Sequence, residues 1–337
     1  MKIANIALAA AIAALPLAAQ VQLTGAGATF PAPIYQKWFG KYGAQQGVQI
    51  NYQPIGSGGG IKGVNEGTVD FGASDMPLDA KQLKAFKDKH GFDLLMFPTV
   101  LGAAVPTYEV TGVTQQLKFT PQILAGIYLG KLTMWNAPEI KAANPGVNLP
   151  AEKVVVIHRS DGSGTTFCWT DYLTKVSPEW AGKVGKNTSV DWPAGLGGKG
   201  NDGVAGLIKQ QKGSIGYVEL IYAVKNKLPY GLVQNKAGQF VQADLKSVNA
   251  AAASVKELPA DLAVSITNAP GNDAYPIATY TWLLIPSKIE DAKKRDAIKG
   301  FLKWAISTGQ NDVESDDYAR LPQAVVGEEQ KQIAKIQ

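Results

Sequence analysis

RSDGSGTT, residues 159–166, lies just past the apolar run at 154–157 and leads into a helix-like segment. A turn between a strand and a helix leaves unpaired backbone N–H groups at the positive helix end, which makes a ready anion site. Its glycines let the main chain approach a ligand without a Cβ in the way. Arg159 adds a planar guanidinium that fits two oxygens of a tetrahedral oxyanion. Taken alone, this turn predicts helix capping more readily than anion binding.

Two further turns have the same composition. GAGATFP spans residues 25–31, and we expect Thr29 to cap the helix that follows, with Pro31 in its first turn. GSGGG spans residues 56–60, shortly after the predicted strand at 48–52. The hydroxyl groups that add donors to the three turns belong to Thr29, Ser57, Ser163 and Thr165. Three such turns in one chain, one of them carrying an arginine, favour an anion site over simple helix capping.

Two carboxylates lie near these turns. Asp75 follows the predicted strand at 69–73 and would ordinarily be a surface turn residue. In an anion pocket a carboxylate is favourable only if the anion has a proton to donate, as phosphate has at neutral pH and sulfate has not. Asp161 lies two residues beyond Arg159, and it either pairs with the guanidinium or caps the following helix.

Short apolar or β-branched runs alternate with longer amphipathic ones, which predicts an α/β fold. Strands are predicted at residues 48–52, 69–73, 94–105, 154–157, 214–218 and 278–285. Helices are predicted at 31–42 and 291–307, and loops rich in Gly and Pro at 195–203 and 269–276.

The length of 337 residues indicates two lobes. If the long apolar strands at 94–105 and 278–285 cross between them, the first lobe is built from both ends of the chain. We therefore expect one lobe at residues 20–98 and 279–337, and the other at 99–278.

Composition argues against several classes of protein. The chain is 45% hydrophobic and 18% charged, as soluble globular proteins are. Its net charge of +5 is spread without a Lys/Arg stripe, so no nucleic-acid partner is expected. Two histidines, His90 and His158, are too few for a His-rich metal site. The single cysteine, Cys168, can form no intramolecular disulfide and is expected to be a small buried hydrophobe.

Residues 1–19 differ from the rest of the chain. Lys2 is their only charged side chain, residues 6–17 are almost entirely Ala, Ile and Leu, and Leu-Ala-Ala at 17–19 suits a signal peptidase. This pattern predicts a secretory signal that is removed after export. A membrane anchor is the weaker interpretation because a spanning helix needs about 20 apolar residues. No cysteine lies near the cleavage site, so a lipid anchor is not expected.

Four longer motifs lie along the chain. They are LTGAGATFPAP at 23–33, VDFGASD at 69–75, DGSGT at 161–165 and GGKGNDG at 197–203. Together they resemble the periplasmic phosphate-binding proteins of bacterial phosphate ABC importers, and the similarity runs from about residue 23 to residue 326. The resemblance implies a type II periplasmic-binding-protein fold, two α/β lobes joined by short hinge strands with the ligand in the cleft. It also implies a periplasmic carrier, without cofactor or catalytic activity, that delivers inorganic phosphate to the membrane permease subunits of the importer.

Position by position, the resemblance implies a set of phosphate ligands. The set comprises Thr29, Phe30, Ser57, Asp75, Arg159, Ser163, Gly164 and Thr165. Phe30 would contribute its backbone N–H rather than its ring, and Asp161 matches the family's partner of the arginine. The chain is expected to act as a monomer.

Other functions stay open from the sequence. A phosphatase or serine hydrolase would need an activated nucleophile or paired metals. His158 would be the base for Ser163, but strand alternation directs it away from the side of Arg159. A carrier of another oxyanion, such as sulfate, molybdate or arsenate, is a second alternative, and Asp75 argues against those without a proton. An adhesion or sensing role is a third.

Overall fold

The computed structural model describes residues 20–337, so the predicted export signal at 1–19 lies outside the described residues. The strands are β1 (Val21–Gly27), β2 (Val48–Gln53), β3 (Phe71–Ser74), β4 (Leu94–Glu109), β5 (Lys118–Phe119), β6 (Val155–Arg159), β7 (Leu196–Gly198), β8 (Ser214–Glu219), β9 (Leu232–Gln234), β10 (Phe240–Val241) and β11 (Ala278–Pro286).

The helices are α1 (Ala32–Gln46), α2 (Ser57–Glu66), α3 (Ala80–His90), α4 (Pro121–Tyr128), α5 (Pro138–Ala143), α6 (Gly164–Val176), α7 (Pro178–Lys183), α8 (Gly200–Gln210), α9 (Leu220–Asn226), α10 (Leu245–Ala252), α11 (Ala292–Ala305) and α12 (Gln323–Ile333). Two 3₁₀ turns, Thr308–Asn311 and Val313–Asp316, lie between α11 and α12.

The strands form a large sheet and a small one. The order in the large sheet is β2-β1-β3-β11-β4-β8-β6-β7, and in the small sheet it is β10-β9-β5. β1 pairs in parallel with β2 and β3, and β6 pairs in parallel with β7 and β8. The antiparallel strands β11 and β4 lie between these two parallel groups.

Strand β4 belongs to both parts of the large sheet. Residues 94–103 pair with β11, whereas residues 104–109 pair with β8. All of β4 except its last residue is buried, as expected of a strand covered on both faces. We call β1, β2, β3 and β11 with the elements packed on them, including the two 3₁₀ turns, the first half. The second half is β6, β7 and β8 with α6, α8 and α9.

The strands and helices predicted from the sequence are all present, with ends that differ by a few residues. The apolar stripe of α11 faces the core, since Ile298, Phe301, Leu302 and Ala305 are buried. The loop at 269–276 is confirmed, and so is the burial of Cys168, whose thiol pKa is raised by that burial.

Two predictions about backbone structure are wrong. Residues 195–203 are not a loop: they form β7, which pairs with β6, and the first turn of α8. Strand β1 was not predicted, because its glycines indicate a turn. A Cβ on Gly25 would lie 2.1 Å from the Phe71 ring, and one on Gly27 would lie 2.1 Å from the Ala73 carbonyl oxygen. The glycines are therefore needed for the close approach of β1 and β3.

The expected cap of α1 is also wrong. The N-cap residue is Pro31, which has no side-chain cap. The hydroxyl oxygen of Thr29 instead accepts a hydrogen bond from the side chain of Asn201 at 2.8 Å. A tertiary contact has replaced the local one, because Asn201 from the second half lies against this turn.

Over residues 20–337, no helix is both long and apolar enough to cross a membrane. Within the same residues, no group of three or more His, Cys, Asp or Glu side chains is arranged to hold a metal ion.

Candidate anion-binding site

The first turn lies between the end of β1 and the start of α1, and it places Thr29 and Phe30 in buried positions. The hydroxyl oxygen of Thr29 accepts two hydrogen bonds from Asn201, one from the backbone N at 3.3 Å and one from Nδ2 at 2.8 Å. The amide N–H of Phe30 donates to no acceptor in the part of the chain that the structure describes. This turn therefore has a backbone donor available for a ligand.

The second turn begins α2 and contacts the third. The hydroxyl oxygen of Ser57 accepts a hydrogen bond from the amide of Gly164 at 2.9 Å and another from the amide of Asp75 at 3.3 Å. The amide of Gly58 donates to the carbonyl oxygen of Gly162 at 2.8 Å. The glycine turns of the first half and the second half are thus directly joined.

The third turn holds Arg159 at the end of β6, with only 3% of the residue exposed. Its Nε donates to Oδ1 of Asp161 at 2.8 Å, its Nη2 to Oδ2 of Asp161 at 2.5 Å, and its Nη1 to the hydroxyl of Thr165 at 3.3 Å. A guanidinium has five N–H donors, so two remain for a ligand. Of the two roles predicted for Asp161, pairing with Arg159 is the one observed.

The charge of Asp161 is secured by this pairing. Partial burial acts to raise the pKa of Asp161, but the hydrogen bond and the positive charge of Arg159 outweigh it and hold the pKa below its ordinary value. Asp161 also accepts a hydrogen bond from the amide of Gly200 at 3.0 Å. The carboxylate therefore fixes the orientation of the guanidinium and ties it to the start of α8.

At the start of α6, Ser163 is the N-cap residue, and its hydroxyl oxygen accepts a hydrogen bond from the amide of Thr166 at 3.0 Å. The next residue, Gly164, has no space for a side chain. A Cβ there would lie 2.5 Å from the Ser57 hydroxyl and 2.6 Å from the Asp75 Cβ. The absence of a side chain at Gly164 thus allows the two halves to meet.

The hydrogen bonds around three of the hydroxyl groups determine their polarity. The oxygens of Thr29 and Ser57 each accept two hydrogen bonds, and that of Thr165 accepts one from Arg159 and one from Asn201. A hydroxyl oxygen has two lone pairs and one proton, so each of these groups has only its O–H left to use. All three hydroxyls are therefore set to donate, which is the arrangement that a bound anion requires.

Asp75 is the exception among these donors. Its Oδ1 accepts a hydrogen bond from the hydroxyl of Thr281 at 2.8 Å, whereas its Oδ2 is buried without a hydrogen-bond partner among the described residues. Burial raises the pKa of Asp75 to about 7, although the Thr281 hydrogen bond and the charge of Arg159 act in the opposite direction. One acceptor thus lies among many donors.

Asn201 and Thr281 were not identified from the sequence. Asn201 is fully buried, donates from Nδ2 to the hydroxyls of Thr29 and Thr165, and accepts a hydrogen bond from the amide of Glu219. It lies in the GGKGNDG motif, which was the only signal that could have indicated it. Thr281 lies within β11 and has no distinguishing pattern in the sequence.

His158 is not placed as a catalytic base. Its ring stacks on Trp192, with 4.8 Å between ring centroids and 14° between planes, and its Nδ1 lies 3.0 Å from the Arg159 carbonyl oxygen. Burial lowers the pKa of His158. The hydroxyl of Ser163 meanwhile caps α6. The hydrolase alternative therefore lacks its nucleophile–base pair.

Comparisons with known proteins were made on both sequence and structure. The family model described as PBP superfamily domain matches residues 15–308. A phosphate-binding protein PstS from Xylella fastidiosa is 46% identical over 308 residues, which cover 91% of this chain and 83% of that protein. Another, from Pasteurella multocida, is 45% identical over 312 residues, covering 92% and 89% respectively.

Solved structures resemble the chain over most of its length. A high-affinity periplasmic phosphate-binding protein, PfluDING, bound with phosphate, has a TM-score of 0.77 at 19% identity, covering 92% of this chain and 93% of that one. A phosphate-binding protein from Stenotrophomonas maltophilia has a TM-score of 0.69 at 19% identity, covering 91% and 92%. At these identities the likeness shows the fold alone, and it confirms the predicted type II periplasmic-binding-protein fold.

Proposed function

We propose that this chain, which belongs to the PstS family of phosphate-binding proteins, binds one inorganic phosphate ion and delivers it to a membrane ABC importer. Two relatives named for phosphate binding are 46% and 45% identical to it over most of its length. Members of this family are binding proteins, so the chain is a binding protein and not an enzyme, and the comparisons indicate no cofactor. The ligand is inorganic phosphate.

The observation that carries the proposal is the polarity of the buried cluster. Three hydroxyls are set to donate, Arg159 retains two N–H donors, and the amide of Phe30 is unpaired within the described residues. Against these donors lies an acceptor, Oδ2 of Asp75, that is buried without a partner among the residues that the structure describes. An anion that carries a proton satisfies both kinds of group, whereas a fully deprotonated anion would face the carboxylate oxygen without a hydrogen bond.

Each predicted ligand has a role in this proposal. The side chains of Thr29, Ser57, Ser163 and Thr165 donate from their hydroxyls, and Phe30 contributes its backbone N–H. The backbone N–H of Gly164, also predicted as a ligand, donates to the Ser57 hydroxyl oxygen and acts on the ligand through that hydroxyl. Arg159 neutralises charge through the two free N–H groups of its fork, and Asp161 orients that fork from outside the ligand's contacts. Asp75 accepts the phosphate proton, which makes it the residue that selects the ligand.

We also propose that the two halves are lobes that close on the ligand, with one lobe at residues 20–98 and 279–337 and the other at 99–278. The change of partner of β4, from β11 at Ala103 to β8 at Ala104, supports a hinge near this boundary. Ligands come from both lobes, so phosphate favours the closed state by its differential affinity for it. The hydrogen bond between Gly164 and Ser57 would break on opening.

The finer details of partners and location belong to the same proposal. Export through the signal at residues 1–19 would place the mature protein in the periplasm. There it would meet the membrane permease subunits of the importer, and it would act as a monomer. Size-exclusion chromatography with light scattering on the mature protein tests the monomer, and a dimer at micromolar concentration would contradict it.

Calorimetry on the mature protein with phosphate, arsenate, sulfate and molybdate in turn tests the proposed ligand. We expect phosphate and arsenate to bind, because both keep a proton near neutral pH, and sulfate and molybdate to give no heat of binding. Sulfate binding as tight as phosphate binding would contradict the role of the Asp75 acceptor. Absence of phosphate binding would contradict the function itself.

A further inference from the structure

Three consecutive carbonyl oxygens in the first turn each accept a hydrogen bond from a tyrosine hydroxyl. The pairs are Tyr52 to Ala28 at 2.7 Å, Tyr222 to Thr29 at 2.6 Å and Tyr318 to Phe30 at 2.6 Å. The tyrosines come from β2, from α9 and from the segment after the second 3₁₀ turn. Side chains from three distant parts of the chain thus converge on one short loop.

The middle pair acts on a peptide group that faces the site. The carbonyl of Thr29 and the N–H of Phe30 belong to one planar peptide unit. Hydrogen bonds in a chain polarise one another, so a donor on the carbonyl strengthens the N–H as a donor. The Phe30 N–H is a proposed phosphate ligand with no acceptor among the described residues. The hydroxyl of Tyr222 is therefore separated from the ligand by one peptide group, whose N–H it strengthens as a donor.

The third pair has the same geometry but no such consequence. The carbonyl of Phe30 belongs to the peptide bond with Pro31, and proline has no N–H. Tyr318 also lies in the first half, beside Ala319, which hydrogen-bonds with Leu101. Tyr318 therefore supports the loop without acting on a ligand donor.

Tyr222 also differs from Tyr318 in the half of the molecule to which it belongs. It lies on α9, which follows β8 in the second half, whereas Thr29 follows β1 in the first half. Tyr222 is buried, and this burial raises its pKa, so its hydroxyl stays protonated at neutral pH. Opening of the lobes would separate the hydroxyl from the Thr29 carbonyl.

We propose that Tyr222 is a positioning residue for the bound anion: it polarises the Thr29–Phe30 peptide in the closed state and so links closure of the lobes to affinity. The inference rests on the proposed function, because the anion is taken to be phosphate. Its distinguishing feature is that a residue outside the ligand's contacts sets the strength of a backbone donor from the opposite lobe.

The test compares Tyr222→Phe with the matched control Tyr318→Phe, since each removes one hydroxyl that donates to a carbonyl at 2.6 Å. We expect Tyr222→Phe to weaken phosphate binding about five- to tenfold, as the loss of one net hydrogen bond predicts. The change should appear mainly in the dissociation rate measured by stopped flow. Tyr318→Phe should stay within about twofold of wild type in affinity while its thermal unfolding midpoint falls.

A spectroscopic measurement separates positioning from simple support. In the phosphate-bound wild type, the amide proton of Phe30 should lie downfield of its ligand-free position in NMR spectra. In Tyr222→Phe it should move back upfield, and in Tyr318→Phe it should not. If Tyr222→Phe does not fold, the wild-type shift decides, because a Phe30 amide proton that phosphate leaves unmoved overturns the inference.

The outcomes distinguish the inference from the function on which it rests. Wild-type protein that binds no phosphate overturns the proposed function. Wild-type protein that binds phosphate, with equal affinity losses in Tyr222→Phe and Tyr318→Phe or none in either, overturns only the role of Tyr222.

Discussion

The hydroxyl of Thr281 donates a hydrogen bond to Oδ1 of Asp75 at 2.8 Å, whereas Oδ2 has no hydrogen-bond partner within residues 20–337. The two residues are 206 positions apart and belong to adjacent strands, since β11 pairs with β3 and Asp75 directly follows β3. Because Thr281 is itself buried in the sheet, it holds the carboxylate in one orientation. A fixed orientation is what allows one oxygen to discriminate between protonated and deprotonated anions.

Asp75→Asn should reduce selectivity more than affinity. The amide is a weaker acceptor, but it removes a negative charge that faces a bound anion, so the phosphate dissociation constant should rise only moderately. Preference for phosphate over sulfate should fall strongly, because the amide can turn its NH₂ toward a sulfate oxygen. Sites built on a required hydrogen bond discriminate by about 10⁴-fold. Competition of sulfate against labelled phosphate measures this ratio.

Thr281→Val serves as the companion to that variant, because it keeps the carboxylate and removes only its hydrogen-bond donor. We expect the preference of Thr281→Val for phosphate over sulfate to lie between that of wild type and that of Asp75→Asn. If Asp75→Asn rejects sulfate as strongly as wild type does, Asp75 does not select the ligand.

Arg159→Ala should weaken phosphate binding by more than about 100-fold, because charge-assisted hydrogen bonds contribute about 1.5–3 kcal/mol each and two free N–H donors are lost. The phosphate affinity of Arg159→Lys should lie between those of wild type and Arg159→Ala, since lysine keeps the charge but lacks the planar guanidinium. Lys293→Ala, at an exposed position of α11, is the control for overall charge and should be near wild type. Titration calorimetry at constant ionic strength measures all three. Unchanged affinity in Arg159→Ala would refute the assignment of this pocket.

Gly164→Ala should weaken binding by about 10- to 100-fold, since crowding of this kind costs roughly 1–3 kcal/mol. The new Cβ would lie 2.6 Å from both the Cβ and the amide N of Asp75, so the lobes could not close fully. Gly206→Ala, within α8, has open space around its Cβ and should be neutral or slightly stabilising. Equal phosphate affinity in the two variants would show that Gly164 has room after all.

Glu329 should make stability depend on pH. Both of its carboxylate oxygens are buried without a hydrogen-bond partner in the described residues, and burial raises its pKa well above the ordinary value. Between the unfolded and folded pKa values the folded state holds the proton that the unfolded chain releases. Stability from this group is therefore complete below its unfolded pKa and declines as pH rises.

Glu329→Gln should accordingly raise the thermal unfolding midpoint at pH 8 by about 2–4 °C and change it little near pH 4. Glu328→Gln is the control, because the carboxylate of Glu328 is solvent-accessible and forms an ion pair with Lys331 at 2.7 Å. Calorimetric scans from pH 4 to pH 8 measure both. An effect of Glu329→Gln that is the same at every pH would show that titration of Glu329 is not its source.

Closure of the lobes should be visible in solution. Small-angle X-ray scattering of the wild type should give a modestly smaller radius of gyration with saturating phosphate than without it. Sulfate at the same ionic strength is the control and should leave the curve unchanged. Identical curves with and without phosphate would indicate a rigid, preformed site.

Much of the fold could be predicted from local sequence. Apolar runs gave the strands at 94–105 and 278–285, and the stripe on α11 gave that helix. These elements depend on the periodicity of their own residues, which the sequence displays directly. Strand β1 and the segment at 195–203 could not be predicted, because their glycines serve strand-to-strand contacts rather than turns.

The sequence by itself indicated the three turns of the candidate site, because Gly, Ser and Thr turns before helices leave N–H groups exposed. Only the tertiary structure decided what those residues do. Thr29 and Asn201 are 172 positions apart, and their contact converts an expected helix cap into a buried donor. A hydroxyl can donate or accept, and its polarity depends on which neighbours occupy its lone pairs. Those neighbours come from distant strands and helices, so folding alone brings them together.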